Sequence, residues 1–163
     1  MKLNKWFYLA ALSFIWGSSF ILIKKGLVGL TAIELGSIRI IISALALIPF
    51  TFNRLKEINF KQWKWIIISA FVGSFFPAFL FAFAEQEIDS SVASILNSIV
   101  PLNTIIIGLV LFGIKSTKRQ IIGVLLGFFG AYQLIISGIN LNPDQNYFYS
   151  GLVIICSFLY AFN

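Results

Sequence analysis

The sequence predicts an all-α membrane protein with five transmembrane helices and a truncated sixth. Of the 163 residues, 59% are hydrophobic and only 11% are charged, whereas soluble domains are about 45–50% apolar. The mean hydropathy is +0.93. The apolar residues form blocks close to the roughly 20 residues that a helix needs to cross a bilayer. These blocks cover residues 6–23, 32–51, 65–84, 92–112 and 121–137, and a last run extends from Tyr149.

The first block predicts a membrane helix. Lys2 and Lys5 precede it, an arrangement that also opens a signal peptide, and a signal peptide is the alternative. The apolar run reaches Ile23, however, and is longer than the 7–15 residues of a signal-peptide core. Bulky Trp16 also lies where cleavage needs small residues. A first transmembrane helix is therefore favoured.

Trp16 lies in the middle of that helix. It follows Trp6 by ten residues, which at 1.5 Å per residue places it roughly 15 Å deep, near the bilayer centre. The next residues, Gly17, Ser18 and Ser19, allow a neighbouring helix to approach closely. An indole at this depth stacks on an organic solute or packs between helices, and both roles stay open. Trp16 and Ser19 are accordingly candidate cavity residues.

The placement of the charges predicts the orientation of the chain. Nine of the twelve basic residues lie before the first block, between the second and third, or between the fourth and fifth. They are Lys2, Lys5, Arg54, Lys56, Lys61, Lys64, Lys115, Lys118 and Arg119. The opposite side has Lys24 and Lys25 with the acidic residues Glu85, Glu87, Asp89 and Asp144. The positive-inside rule predicts a multi-pass protein of the cell (inner or plasma) membrane with a cytoplasmic N-terminus. This placement accounts for the net charge of +6, and no nucleic-acid partner is predicted.

Arg39 is the one charged residue well inside a predicted span. It lies roughly 10 Å below the outer surface, counting at 1.5 Å per residue from Ala32. An intramembrane charge costs at least about 2.5–3.5 kcal/mol unless it is paired or hydrated. Glu85, at the outer end of the third span, is the nearest candidate partner. The sequence favours an Arg39–Glu85 charge pair that joins two helices, with substrate contact as the alternative.

Prolines interrupt the third and fourth blocks. Pro77 follows Gly73 by four residues and Pro101 follows Asn97 by four, so each proline removes a helical partner of the earlier carbonyl. Broken helices mark many transporter sites, although prolines are also common in membrane helices. A purely structural role is favoured for Pro77, and it is also a candidate cavity residue.

The fourth block also carries a polar stripe. Its members recur at intervals of four, three, four and three residues, which puts them on one helical face. They are Ser90, Ser94, Asn97, Pro101 and Thr104. Polar groups in hydrocarbon are costly, so this face must meet protein or a water-filled cavity. Ser94, Asn97, Pro101 and Thr104 are candidate substrate-binding residues, and hydrogen bonding between helices is an equally open reading.

The fifth block predicts a face for helix packing, because Gly123, Gly127 and Gly130 lie on one side of it.

Catalytic signatures are lacking in the sequence. There is no histidine, no HExxH or GxSxG motif, no phosphate-binding glycine loop and no convincing carboxylate pair within the membrane. The single cysteine, Cys156, excludes an internal disulfide. No catalytic residue, metal site or cofactor is predicted, and the chain is expected not to be an enzyme.

The end of the chain resembles its beginning. The segment CSFLYAFN starts at Cys156 and matches the early segment LSFIWGSSF at an offset of 144 residues. The matched positions are Ser13 with Ser157, Phe14 with Phe158 and, in character, Trp16 with Tyr160. Five predicted spans separate the two segments, so the second copy enters the membrane from the opposite side. Inverted repeats are a recurrent plan of secondary transporters.

This similarity predicts the domain organisation. Residues 1–138 are expected to form an N-terminal five-helix repeat, and residues 139–148 an outer loop. Residues 149–163 are expected to be the truncated start of a second repeat. The chain is thus predicted to be an N-terminal fragment.

Four segments carry a resemblance to a known family. They read IWGSSFILIKKGL, SIRIIISALALIPF, EIDSSVASILNSIVPLNTIIIGLVLFG and KRQIIGVLLGFFGAYQLI. Together they resemble the EamA-type drug/metabolite transporter superfamily over essentially the whole chain. The sharper landmarks are the Trp16-Gly17 pair, Arg39, Pro101 and Gly123, and of these Trp16, Arg39 and Pro101 match the family pattern position by position.

The resemblance implies a fold and an activity. It implies ten helices in two inverted five-helix repeats around a central cavity, with alternating access. It also implies transport, usually export, of small metabolites such as amino acids. Many members have a glutamate after the glycine at the inner end of the fourth helix, whereas here Gly113 is followed by Ile114. An inner salt bridge or ion-coupling role of that glutamate is therefore in doubt for this chain.

Three functions are compared on this basis. The first is a transporter of small organic solutes in a lipid bilayer, completed by the missing C-terminal repeat of the same chain. The second is a complete half-size subunit that forms an antiparallel homodimer. The strong charge bias disfavours it, because such a dimer needs a weak orientation signal. The third is a membrane scaffold or receptor that transports nothing.

Overall fold

The computed structural model describes residues 4–138 and 146–163, and these residues form helices joined by short connections. No strand occurs in these two ranges. The α-helices are α1 (Lys5–Gly26), α2 (Ala32–Thr51), α3 (Phe60–Ala70), α4 (Phe76–Glu87), α5 (Ser90–Asn97), α6 (Val100–Phe112), α7 (Lys118–Gly138) and α8 (Ser150–Phe162). Two 3₁₀ segments, Phe52–Glu57 and Tyr147–Tyr149, and a π-helical turn, Phe71–Phe75, complete the order.

Four helical segments of the described chain are long and apolar enough to cross a membrane. They are Lys5–Gly26, Ala32–Thr51, Phe60–Glu87 and Ser90–Phe112. Helix α7 has 21 residues, and α8 is a shorter apolar helix of 13. The predicted all-helical class is confirmed, whereas the count of five spans plus a sixth stays a prediction. The predicted division into repeats also stays a prediction, and most of the predicted outer loop lies outside the described residues.

Capping residues determine where helices α2 and α3 begin. Hydropathy alone does not detect these polar residues. Helix α2 begins with a capping box in which Thr31 N donates to Glu34 Oε2 at 2.9 Å and Glu34 N donates to Thr31 Oγ1 at 3.3 Å. Helix α3 begins at Phe60, where Asn59 N donates to Gln62 Oε1 at 2.8 Å. Each bond satisfies an amide that the first helical turn leaves without a partner. The third span therefore starts five residues before the apolar block at 65.

The third and fourth spans are irregular near their prolines, but in different ways. In the third span a π-helical turn, Phe71–Phe75, joins α3 to α4, and Pro77 lies in the first turn of α4. The helix stays continuous there. The fourth span is divided, because α5 ends at Asn97, residues 98–99 form turns, and α6 begins at Val100 with Pro101 in its first turn. Proline is tolerated at this position because its missing N–H has no helical partner to lose.

Hydrogen bonds between helices fix their relative directions. Lys24, near the end of α1, reaches the carbonyl oxygens of Glu85 and Ile88 at the end of α4. The side chain of Asn163, after the end of α8, accepts a hydrogen bond from Ser69 in α3. Phe20 contacts Phe81 one turn before Lys24 reaches Glu85, so α1 runs in the same direction as α4. Along α8, Tyr160 stacks on Phe81 and the later Asn163 reaches the earlier Ser69, so α8 runs in the direction opposite to the third span.

The core is formed mainly by α1, α2, α4, α5 and α8. Its fully buried side chains include Ile88, Val153 and Cys156. Large apolar side chains elsewhere are exposed, for example Phe60 at 90% and Phe14 at 78%. Such apolar surface is expected where a helix faces lipid instead of water.

The small-residue face of α7 has no close neighbour among the described residues. Gly123, Gly127 and Gly130 are exposed, and outside their own stretch of helix no atom of the described residues lies within 4 Å of the position that a Cβ would take at any of them. The predicted packing on these glycines is therefore not formed within this part of the chain. A contact with another helix at this face stays a prediction.

Candidate solute cavity

Two neighbouring cavities meet at Arg39 and Tyr160. The first has a volume of about 340 Å³ and lies between α2, the π-helical turn, α4 and α8, with Ser43, Ser74 and Ala78 among its lining residues. The second has a volume of about 280 Å³ and lies between α1, α2, α4 and α8, with Trp16 and Ser19 in its wall. Both volumes are close to the lower end of the range for small-molecule pockets, about 300–1,000 Å³.

Aromatic rings form one wall of the second cavity. Tyr160 meets Trp16 edge to face, with ring centroids 6.4 Å apart and an interplanar angle of 86°. On its other side Tyr160 stacks against Phe81 at 6.1 Å and 29°, and Phe81 in turn contacts Phe20 at 5.6 Å. Such contacts hold ring orientations and contribute about 0.5–1.5 kcal/mol each beyond the area they bury. The result is a preformed apolar surface beside a guanidinium group.

Arg39 supplies the positive charge at this site. Its Nη1 atom is buried and has no hydrogen-bond partner among the described residues. Arg39 and Glu85 do not form an ion pair within 4.0 Å of each other. The predicted direct Arg39–Glu85 pair is therefore not formed. The reason is geometric, because Glu85 is directed to α5, whereas Arg39 lines the two cavities.

Glu85 occupies a separate polar cluster at the end of α4. Its side chain is fully buried, and its Oε2 atom accepts a hydrogen bond from Ser90 Oγ at 2.9 Å. The Nζ atom of Lys24 donates to the carbonyl oxygens of Glu85, at 2.7 Å, and Ile88, at 2.9 Å. A lysine at these carbonyls satisfies acceptors that the end of α4 leaves open and interacts favourably with the helix dipole.

The structure brings two of the predicted cavity residues together. Trp16 and Ser19 both line the second cavity. The Ser19 hydroxyl donates to the carbonyl oxygen of Trp16 at 2.6 Å, so its proton is already used. Pro77 is fully buried and lines neither of the two cavities.

The polar stripe of the fourth span does not form one continuous face. Asn97 is buried, and its Oδ1 has no hydrogen-bond partner in the described chain, whereas Pro101 and Thr104 are exposed. Ser94 and Thr104 donate to carbonyl oxygens of their own helices, at 2.8 Å each. None of these four residues lines either cavity. The predicted stripe assumed one unbroken helix. The break between α5 and α6 rotates the second half, so residues at helical spacing on either side of the break do not share a face.

Two residues that form or support the cavity wall were missed from the sequence. Asn103, adjacent to the predicted Thr104, is buried and donates from Nδ2 to Ser157 Oγ at 2.7 Å, which links α6 to α8. An asparagine within an apolar helix is itself a signal for such a contact. Tyr160 was noticed only as the counterpart of Trp16 in the sequence repeat. Its place between two cavities depends on how α8 packs against α4.

Comparisons with known proteins give a consistent result. Residues 4–136 match the model of the EamA-like transporter family. Curated proteins from three strains of Escherichia coli, each named "Uncharacterized inner membrane transporter YedA", are 27% identical over 158 residues. The alignment covers 94% of this chain and 50% of each of those proteins, so the chain spans about half their length. No solved structure matches the chain.

Proposed function

Because the chain belongs to the EamA-like transporter family, we propose that it forms part of a transporter of small organic solutes in the inner membrane. The relatives named as inner membrane transporters support this location and activity. We extend the proposal to amino acids as the solute class and to export as the direction of transport.

The arrangement of Arg39 and the aromatic wall carries the proposal. An amino acid presents a carboxylate and an organic side group, and the site offers a complement to each. Arg39 has a buried nitrogen without a partner in the described chain, and guanidinium groups bind carboxylates through paired hydrogen bonds. The rings of Trp16 and Tyr160 give a surface for the organic part.

The relation between α1 and α8 supports transport by alternating access. Trp16 and Tyr160 occupy matching positions of the two similar segments, and their rings are in contact. The helices that carry them run in opposite directions. Contact between equivalent residues of antiparallel helices is expected close to the axis of an inverted repeat, which is where such transporters bind their solutes.

The exposed glycine face of α7 supports the proposal that further helices pack against this chain. Gly123, Gly127 and Gly130 have open space around them in this chain, and such faces are suited to close helix packing. We propose that a second, inverted repeat completes the pathway. The competing arrangement is an antiparallel homodimer with a second copy of the unit. A cysteine placed at Gly127 distinguishes the two, because a disulfide bond between separate chains would indicate the homodimer.

Transport by cavity variants tests the proposal. The full-length protein, in proteoliposomes loaded with radiolabelled amino acids, is expected to release at least one of them. Trp16→Ala and Tyr160→Leu are expected to lower the rate about tenfold, which corresponds to about 1.4 kcal/mol, a loss typical of an aromatic contact. Phe14→Ala is the control, because Phe14 is 78% exposed on the same helix as Trp16. Unchanged rates in both cavity variants would show that solutes take another path.

A further inference from the structure

The carboxyl group of Glu85 is enclosed within the helical bundle. Glu85 is fully buried near the end of α4, within the segment Phe60–Glu87 that is long enough to cross the membrane. Its Oε1 atom is buried and has no hydrogen-bond partner among the described residues. A charged carboxylate with an unsatisfied oxygen is costly to bury, and a protonated carboxyl is much less so.

The hydrogen bonds of Ser90 allow Glu85 two protonation states. Ser90 Oγ lies 2.9 Å from Glu85 Oε2 and 3.1 Å from the carbonyl oxygen of Phe20. A serine hydroxyl has one proton to donate, and the Phe20 carbonyl can only accept. When Glu85 is ionised, the hydroxyl proton is shared with or directed to Oε2. When Oε2 carries a proton, Glu85 donates to Ser90 Oγ, and Ser90 donates fully to Phe20.

Groups from four neighbouring helices surround Glu85. The positively charged groups nearby are Lys24 of α1 and Arg39 of α2. The Lys24 ammonium is held by the carbonyl oxygens of Glu85 and Ile88 and is not paired with the carboxylate itself. Helix α5 contributes the neutral Ser90. The titratable groups of α8 are Cys156 and Tyr160, which are uncharged in their usual states near neutral pH.

We propose that Glu85 is a reversible proton-binding site of this protein. The proton comes from water and adds to the carboxylate. The O–H bond of the resulting acid then points to Ser90 Oγ, and the Ser90 proton turns to the Phe20 carbonyl. Loss of the proton reverses both hydrogen bonds, so nothing but one proton is exchanged with water.

A cavity connects the edge of this site to the surface of the protein. Glu85 lines a cavity of about 310 Å³ together with Lys24, Leu27, Val28 and Gln86. Val28 and Gln86 are exposed, Val28 at 89%, so the cavity opens to the surface at the end of α4. The proton exchanges through this opening, while the carboxyl oxygens themselves stay covered. Arg39 lines both candidate solute cavities and lies close enough to Glu85 for their charges to interact. Resting on the proposed transport function, we infer from this link that the proton is coupled to solute movement.

Infrared spectroscopy tests the proton site without any solute. Difference spectra between acidic and alkaline pH are recorded for the full-length protein in lipid nanodiscs. The parent is expected to show the C=O band of a buried carboxylic acid, which disappears as the pH rises. Glu85→Gln is expected to lose this band. Glu87→Gln is the matched control, because Glu87 is exposed on the same helix, and it is expected to keep the band.

A second variant addresses the role of Ser90 and guards against a folding defect. Ser90→Ala leaves the carboxyl group in place but removes its hydrogen-bond partner, so the band is expected to persist at a shifted frequency. No titrating band in the parent, or an unchanged band in Glu85→Gln, would overturn the proposal. An infrared band that keeps its frequency in Ser90→Ala would also overturn the proposal.

Solute flux separates this inference from the proposed function. With a pH gradient across proteoliposomes, the parent and Glu87→Gln are expected to move solute at a rate that follows the gradient, and Glu85→Gln at a rate that does not. An equal dependence in Glu85→Gln would refute coupling through this residue. A parent that moves no solute would contradict the proposed function and the coupling with it, and the infrared band would still decide whether Glu85 binds a proton.

Discussion

Asn103 and Ser157 form a buried hydrogen bond between α6 and α8, with 2.7 Å from Asn103 Nδ2 to Ser157 Oγ. Ser157 also donates to the carbonyl oxygen of Ile154 at 2.7 Å, so its oxygen serves as donor and acceptor at once. This bond holds α8 beside the fourth span and thereby fixes the position of Tyr160, one turn farther along α8. The cavity wall therefore depends on a contact that lies outside the cavity.

Removing the Ser157 hydroxyl is expected to destabilise the protein. Ser157→Ala leaves the buried Asn103 amide without its partner, and hydrogen bonds between membrane helices contribute about 0.6 kcal/mol on average and up to about 1.7. A loss of about 1 kcal/mol is expected in unfolding by denaturing detergent. Ser94→Ala is the matched control, because Ser94 also donates to a carbonyl oxygen in its own helix. Equal losses of unfolding free energy in both variants would show that the hydrogen bond between Asn103 and Ser157 does not stabilise the protein.

Lys24 is expected to stabilise the end of α4. Lys24→Gln removes the charge at the carbonyl oxygens of Glu85 and Ile88. Charge-assisted hydrogen bonds and helix-dipole contacts together are expected to contribute about 1–2 kcal/mol. The variant should show a corresponding decrease in the free energy of unfolding in detergent. Lys25→Gln serves as control, since the neighbouring Lys25 is exposed, and a decrease of the same size there would contradict the capping role.

Arg39 is expected to determine affinity more than stability. Arg39→Lys keeps the positive charge but loses the planar, two-pronged geometry with which guanidinium binds a carboxylate. Binding of a transported amino acid is expected to weaken about tenfold, which corresponds to about 1.4 kcal/mol, as measured by calorimetry on the full-length protein.

Arg54→Lys is the control for Arg39. Arg54 pairs with Glu57 at the surface, with their side chains 75% and 63% exposed, and exposed pairs contribute about 0–1 kcal/mol. Its affinity for the amino acid is expected to be unchanged. An affinity that is also unchanged in Arg39→Lys would indicate that Arg39 does not bind the solute carboxylate.

The predicted orientation is tested by cysteine labelling. In a variant with Cys156→Ala, single cysteines at Lys118 and Asp144 are expected to react with a membrane-impermeant reagent from opposite sides of the membrane. Position 118 is expected to react from the cytoplasmic side, as the positive-inside rule predicts. Labelling of both positions from the same side would overturn the predicted crossing of the fifth apolar block.

The sequence predicted the helical class well because apolar blocks of bilayer length are rare outside membrane helices. Depth along a helix follows directly from residue number, and Trp16 and Ser19 line the same cavity in the structure. Their contact with a solute stays a prediction. The break after Asn97 changes which face α6 presents, so Asn103 is buried in place of Thr104. A proline indicates that a helix can be interrupted, but not how the second half is rotated.

The two charges inside the bundle show a second limit of sequence reasoning. Arg39 and Glu85 were paired because each lacked a better partner along the chain. The structure places Glu85 against Ser90 and leaves Arg39 at the cavities. Side-chain direction depends on helix rotation and tertiary packing, and neither can be read from opposite charge alone.

The π-helical turn Phe71–Phe75 has a consequence for every residue of α4. A π-helical turn accommodates one residue more than an α-helical turn, so it acts as a single inserted residue. Since one residue corresponds to about 100° of rotation, α4 is turned by that angle relative to an uninterrupted helix. The π-helical turn is therefore the reason that Phe81 and Glu85 face the inside of the helical bundle. Deleting one of those five residues would restore a regular α-helical turn and leave both side chains facing inward, whereas deleting a residue from the regular α-helical turn between Phe76 and Phe81 would rotate Phe81 and Glu85 around the helix axis.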